Sequence, residues 1–429
     1  MIQIVFWNSL GFLFFGFIVS YVPIQLFGVS GSEMGLIVSL QAFGRLLSTP
    51  LIGYLTDRVS KKKLVMVGAL GRCISYIMYY LSIVLHSIPL FGAGIFTQGV
   101  LVGFFWPPFN SLVAEKSNKY FRSEAYGKRS SMIGWGSLAG SAFSFSVFTL
   151  AHHFIPDKLL IVYSPFLIFA VINIFAGLYF YRNVDEHYSF AEFKKEKIFS
   201  YNSDRNEQSE LVIKNSSEGL PTQMESNKMS KKFLGAFFLL TLALMASRMN
   251  DTLAEPFLQV YLIENIIQNP TLVMLIYFPA QITSLLMAPY MGKICDRINP
   301  RVGILFLSCI GGAMTWFLIQ TSSPVVFSLL LTFDFTFARA NLLLMENVLS
   351  RTSQLHRGKI FGMAEWMKLL GGFFGPNIGG LVWDRVDHRA PFIISIFVEL
   401  FLVPLYWVSI FFLKPFMAEK VEKNSKIVN

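Results

Sequence analysis

Arg248, Asp251 and Glu255 stand three and then four residues apart inside a long apolar run, so all three share one stripe of a helix. Such a stripe can bind a polar solute, load a proton onto a carboxylate, or fix helix packing through internal ion pairs. Each charge is costly in hydrocarbon unless it faces a partner or a wet cavity, so the stripe should look into the protein. Glu365 and Lys368 share a face in the same way, whereas Asp334 and Arg339, five apart, point in different directions. Nearer the amino terminus the apolar runs hold Arg45 and Arg72 without any buried acid, and Glu399 stands in the last run. This asymmetry predicts a cleft with one cationic wall and one partly acidic wall. A carboxylate beside an Arg stays ionised, while one facing an apolar cleft can take up and release a proton. Asp251, Glu255, Asp334 and Glu365 are therefore the candidate proton carriers, and the residues alone do not choose among them. Asn8, Gln41, Tyr76, Gln98, Trp106, Asn250 and Gln281 fill in a candidate solute path. Trp106, followed by Pro107 and Pro108, reads equally as a lining residue at a kink or as a lipid-facing ring.

Other chemistry is poorly supported. Cys73, Cys295, Cys309 and the six histidines show no metal-ligand spacing, and the chain has no Gly-rich phosphate cradle and no nucleophile with a convincing base. Neither an enzyme nor a bound metal or cofactor is expected.

The elements that must carry these charges are membrane helices. A composition of 54% hydrophobic residues, with 44 Phe and only 14% charged residues, exceeds what a soluble chain can bury. Windows of about 20 apolar residues give twelve spans, at 2–27, 32–55, 64–85, 90–113, 129–154, 161–181, 233–262, 271–294, 302–321, 324–348, 358–384 and 391–414. They lack the strict alternation of barrel strands. The first span has no charged leader or small-residue cleavage site and is expected to be retained.

Of the 36 Lys and Arg, only Lys158, Arg385 and Arg389 fall on one set of loops, and Arg45, Arg72, Arg248, Arg339 and Lys368 lie within spans; the rest crowd the other set. The positive-inside rule makes that crowded side, with both termini, cytoplasmic, in a plasma membrane. Anionic lipid headgroups account for the net charge of +10, and no nucleic-acid partner is implied. The chain divides into a six-helix bundle over 1–181, a cytoplasmic linker over 182–232, a second bundle over 233–414 and a tail over 415–429. Within the linker, 188–199 reads either as a solvated tether or as a short interfacial helix.

A repeat links the two bundles. Pro50-x-x-Gly53-x-x-x-Asp57-Arg58 recurs 239 positions later as Pro289-x-x-Gly292-x-x-x-Asp296-Arg297. Asn110 and Glu115 recur as Asn341 and Glu346, and Arg122-Ser-Glu-Ala-Tyr-Gly127 as Arg357-Gly-Lys-Ile-Phe-Gly362. Gly53-Tyr-Leu-Thr-Asp57-Arg58-Val-Ser-Lys61-Lys62-Lys63 resembles the signature loop of the major facilitator superfamily. The resemblance covers nearly the whole chain. It implies an all-α membrane protein of two six-helix bundles related by a pseudo-two-fold axis, working by alternating access. It also implies that Asp57 engages the start of a helix in the opposite half, and that Arg58 joins a charge network with acids such as Glu115 in the outward-open state. Gly371-Gly-Phe-Phe-Gly375-Pro376 in span eleven resembles a motif that proton-coupled drug exporters of this superfamily carry on span five, where this chain has Gly134-Trp-Gly136-Ser-Leu-Ala-Gly140 without the proline.

The expected function is secondary transport of a small-molecule substrate, proton-coupled, by a monomer among membrane lipids. Efflux of amphipathic or drug-like compounds is the leading expectation, because abundant aromatic and Met residues suit a permissive cavity. Uptake of a small organic anion or zwitterion, with Arg45, Arg72 or Arg248 as carboxylate partner, is the alternative. A receptor or scaffold that does not transport is the reading of another class.

Overall fold

Span boundaries follow local chemistry. Ser60 accepts from the Lys63 N–H at the start of span three, and Asn299 accepts from the Arg301 N–H with Pro300 in the first turn of span nine. Gly28 and His86 take positive φ, 65° and 50°, where spans one and three turn into the next. A computed structural model describes residues 3–56, 58–116, 122–155, 158–186, 231–351 and 357–416.

Ten helices among the described residues are long and apolar enough to cross a membrane by composition alone. Span eight adds the shorter apolar helix Leu272–Ala288, and span eleven, Arg357–Arg385, is long enough but diluted by Glu365 and Lys368. Spans two and seven pack closely against span eleven. Proline segments two of the spans: span one passes through a π turn at Val22–Leu26, and span four breaks between Ile88–Val102 and Trp106–Lys116. Phe175, Phe317 and Phe401 face outward, as lipid-facing residues must.

The hydrophobic core is asymmetric along the membrane normal. At the face away from the basic loops, one continuous core runs through both bundles, from Phe14, Ile37 and Tyr79 to Phe257, Tyr277 and Trp383. At the basic face the core splits into two. One part holds Val65, Phe109 and Phe180 of the first bundle, and the other holds Leu240, Leu344 and Tyr406 of the second. The halves are thus joined at the far face and separate at the basic face. The interfacial-helix reading of 188–199 and nearly all of the linker and tail lie outside the described residues.

Candidate functional site

The far-face closure rests on spans two and eleven. A helix start leaves backbone N–H groups without partners and carries a partial positive charge. Here the carboxylate that meets them comes from the opposite bundle: Gly31 N donates to Asp384 Oδ1 at 2.8 Å, and Ser32 N and Oγ donate to Oδ2 at 2.8 and 2.5 Å. Ser30 and Glu33 add a capping box beneath, with Ser30 N donating to Glu33 Oε2 at 2.9 Å. Glycine permits the contact: a Cβ on Gly35 would stand 2.1 Å from Pro376 O, and one on Gly380 2.2 Å from Gly31 O. Deeper in the seam, Phe43 and Phe373 meet at 5.5 Å between ring centres. Asp384 was not among the sequence candidates. The capping box marks where span two begins, but nothing local announces a partner 353 residues away.

Past that aromatic contact, towards the basic face, charges from both halves converge. Arg45 of span two lies within electrostatic reach of Arg248 and Glu365, and its buried Nε has no hydrogen-bond partner. Arg248 and Asp251 pair at 3.8 Å, as do Lys368 and Glu365. Asp251 is 50% exposed although it stands mid-helix, as a residue on the wall of an internal cavity should be. Glu255 is also exposed, while Asn250 and Leu253 between these positions are buried, so the stripe on span seven faces open space. Asp334 accepts from Thr315 Oγ1 at 3.5 Å and lies near Asp251; Arg339 is exposed with no ion-pair partner among the described residues. Gln41 lies on span two where its backbone meets Gly99.

Other predicted path residues knit the first bundle instead. Arg72 is 1% exposed, donates to both oxygens of Asn8, and lies over the ring of Phe12 at 4.7 Å. Asn8 in turn donates to Asn173 at 2.7 Å, tying spans one, three and six together. Gln98 accepts from the buried Tyr79 hydroxyl. Trp106 packs among Phe12, Phe105 and Phe109, with Arg129 5.9 Å from its ring, so it lines the inside of the break in span four. Arg45, and not Arg72, brings the cationic wall to the seam.

At the basic face Asp57 lies outside the described residues, as do the side chains of Asp296, Glu346, Arg122 and Arg357. A Cβ on Gly53 or Gly292 would meet nothing within 4 Å among the described residues. Arg58 folds onto Tyr54, 4.2 Å from its ring centre, and Arg297 is exposed. With the far face closed, Glu115 pairs with Lys61 at 2.7 Å; the charge network with Arg58 is the expectation for the opposite, outward-open conformation. Glu186, just after span six, caps span three by accepting from Ser60 Oγ at 2.5 Å and Lys61 N at 2.6 Å. Partial burial opposes its charge, but these hydrogen bonds and the Lys61 charge hold the carboxyl below its ordinary range. A depressed native value means that the cap stabilises the fold fully above the unfolded pKa near 4.5 and is lost as pH falls through the native value. Glu186→Gln should therefore flatten the acid limb of a melting-temperature profile below about pH 5; an unchanged limb would remove Glu186 from the account.

Glu399, noted in the sequence but not ranked as a proton carrier, joins four spans of the second bundle. It accepts from Ser308 Oγ at 3.0 Å and from Asn341 and Asn250 at 3.3 and 3.4 Å. Its lone position in a very apolar span was the available signal.

The profile of the Major Facilitator Superfamily matches residues 4–238 and 240–427. Multidrug resistance protein 2 of Bacillus subtilis is 23% identical over 392 residues, 90% of this chain and 89% of that protein. The quinolone resistance protein NorA of Staphylococcus aureus is 25% identical over 131 residues, 30% of this chain and 33% of NorA, so that match spans about a third of the relative's length. In three dimensions, a bacterial homologue of the human lysosomal transporter Spinster, solved inward-facing and occupied, superposes with TM-score 0.72 at 13% identity, covering 97% of each chain. A D-xylose–proton symporter gives TM-score 0.68 at 14% identity over 97% of this chain and 98% of its own. At such identities the two structures speak for the fold.

Proposed function

Because this chain belongs to the Major Facilitator Superfamily, we propose that it is a secondary transporter that exports amphipathic, drug-like molecules across the plasma membrane by proton-coupled alternating access. The observation that carries this reading is the seam itself: one core across both bundles at the far face, two cores at the basic face, and charged side chains from both halves between them. A seam closed at one face and parted at the other is what alternating access requires. The names of the drug-resistance relatives support export.

In this reading both termini and the basic loops are cytoplasmic, so the conformation faces inward. The bundles are 1–181 and 233–414, the linker 182–232 and the tail 415–429, and the monomer is the working unit. Asp57 latches the cytoplasmic side when the far face opens, with Gly53, Arg58, Asp296 and Arg297 around it; Asp384 latches the far face in the conformation seen. Asp251, Glu255, Asp334 and Glu365 are the proton-carrying candidates, Glu255 and Asp334 both lying near Tyr277.

Uptake of an organic anion or zwitterion is the second reading, favoured by one observation: the partnerless Nε of Arg45, with Arg248 within electrostatic reach, is suited to a carboxylate. Flux in proteoliposomes under an imposed pH gradient separates these readings. Export predicts that amphipathic dyes move against an inward proton flow, uptake that carboxylates move with it. Absence of any gradient-dependent flux with either class would defeat the transporter reading and leave a receptor or scaffold.

A further inference from the structure

His388 stands in the turn 386–389 between spans eleven and twelve, at the far-face end of the seam. Its Nδ1 lies 3.2 Å from Glu264 Oε2 at the end of span seven, and its ring stacks on Trp383 with 4.3 Å between centres and 8° between planes. Its side chain is 53% exposed, so protons in the solution on that side reach it directly. It shares an open pocket of about 510 Å³ with Tyr261, Asn265, Trp383, Asp384 and Arg389. Asp384 is the carboxylate that caps the start of span two from the opposite bundle, and His388 lies within electrostatic reach of it.

Asp384 therefore has two positive partners to choose between. One is the start of span two, whose free N–H groups belong to the first bundle. The other, once protonated, is the imidazolium of His388 in its own bundle. Imidazole changes charge between about pH 5 and 8. An Nδ1 set against a carboxylate carries the proton of the neutral ring and leaves Nε2 a bare acceptor; a second proton turns Nε2 into a donor and gives the ring a full charge. The other titratable and charged groups around His388 belong to the second bundle: Glu264 and Tyr261 on span seven, Arg385 at the end of span eleven, Asp387 and Arg389 in its own turn. Glu33, in the first turn of span two, does not line the pocket and is held by Ser30 N and Oγ. What His388 gains from Glu264 or from the Trp383 ring it keeps when the bundles part. Its charge acts on the seam through Asp384. With the far face closed, the positive end of span two stands at Asp384 and opposes a second positive charge nearby; with the far face open, that end has left and the carboxylate is free to pair. The proton is bound more tightly in the open state and, by reciprocity, favours it.

We propose that His388 is a proton-operated release for the Asp384 latch: protonated from the far side, it draws Asp384 away from Gly31 and Ser32 and lets the far face open. This rests on the reading of Asp384 as the latch and of the far face as external. External acid, which drives proton-coupled export, would then also turn the cavity towards the side from which protons arrive.

The test uses the full chain in lipid nanodiscs and needs no substrate. Spin labels on Leu85→Cys, at the far end of span three, and Val325→Cys, at the start of span ten, report the separation of the bundles at the far face; both positions are exposed, and Cys309→Ser removes the exposed native thiol. From about pH 8 to about pH 5.5 the far-face-open population should rise several-fold. His388→Gln should lose most of that rise. His388→Lys, which carries its charge throughout, should raise the open population already at the alkaline end and keeps the test decisive if the Gln variant fails to fold. Asp384→Asn separates the proposal from the latch reading on which it rests: it should open the far face at both pH values, and a far face that stays closed would defeat the latch itself. Opening in Asp384→Asn together with a parental acid response in His388→Gln, a parental population in His388→Lys, or closure on acidification would overturn the release.

Discussion

Gly35→Ala should reduce transport by about 10- to 100-fold while leaving the protein folded. The added methyl would sit 2.1 Å from the carbonyl oxygen of Pro376, a backbone atom that cannot swing aside, so spans two and eleven would have to separate. Overpacking of this kind costs roughly 1–3 kcal/mol. It falls only on the conformation in which the far face is closed, because the contact joins the two bundles. Each 1.4 kcal/mol is about a tenfold change in population, so the cycle should stall with its far face open. Ala42→Cys reports this directly. Position 42 lies behind the contact, with its Cβ 3.5 Å from where a Cβ on Gly372 would stand, and should label faster from outside with a membrane-impermeant maleimide when Gly35 is Ala. Asp384→Asn should act in the same direction by weakening the cap on Gly31 and Ser32. Gly16→Ala is the control, since a Cβ there meets nothing within 4 Å among the described residues. Parental flux and parental labelling with Ala at position 35 would show that the seam does not tighten during transport.

Asp251→Asn should remove the energetic coupling rather than the pathway. A pH difference of one unit supplies about 1.36 kcal/mol per proton, enough for about tenfold accumulation of a solute exchanged against one proton. In the variant that accumulation should collapse to about unity, while exchange of labelled for unlabelled solute continues. The reason lies in the position: Asp251 is on the seam-facing stripe, paired only at 3.8 Å with Arg248 and within electrostatic reach of Lys368. A carboxylate so placed can have its charge compensated in one conformation and not in the other. Asp334→Asn belongs beside it, because Asp334 reaches the same cluster from span ten. Accumulation retained in both variants would move the proton path to Glu255 or Glu365.

Much of the architecture was legible because membrane helices obey local rules. Length and hydropathy alone locate spans, as a hydrocarbon core admits only segments whose backbone groups are internally bonded. Helical spacing places Arg248, Asp251 and Glu255 on one stripe, and the structure exposes all three while burying Asn250 and Leu253 among them. The doubled signature at Gly53 and Gly292 pointed to paired bundles, and the family match extends from residue 4 to residue 427.

Periodicity gives a residue its face and says nothing about the neighbour it meets there. Arg45 and Arg72 were equivalent in sequence, each a lone cation in an apolar span. Only packing sent Arg72 inward to Asn8 and Phe12 and left Arg45 at the seam near Glu365. Asp384 and Glu399 owe their roles to partners hundreds or scores of positions distant, Gly31 and Ser32 for one, Asn250, Ser308 and Asn341 for the other. The chain thus determined by itself where helices cross the membrane and which of their faces are polar. Which polar face closes on which, and so which charge is neutralised and which is left to bind something else, was decided by tertiary structure, because hydrogen bonds and ion pairs act over a few ångströms of space and not along the sequence.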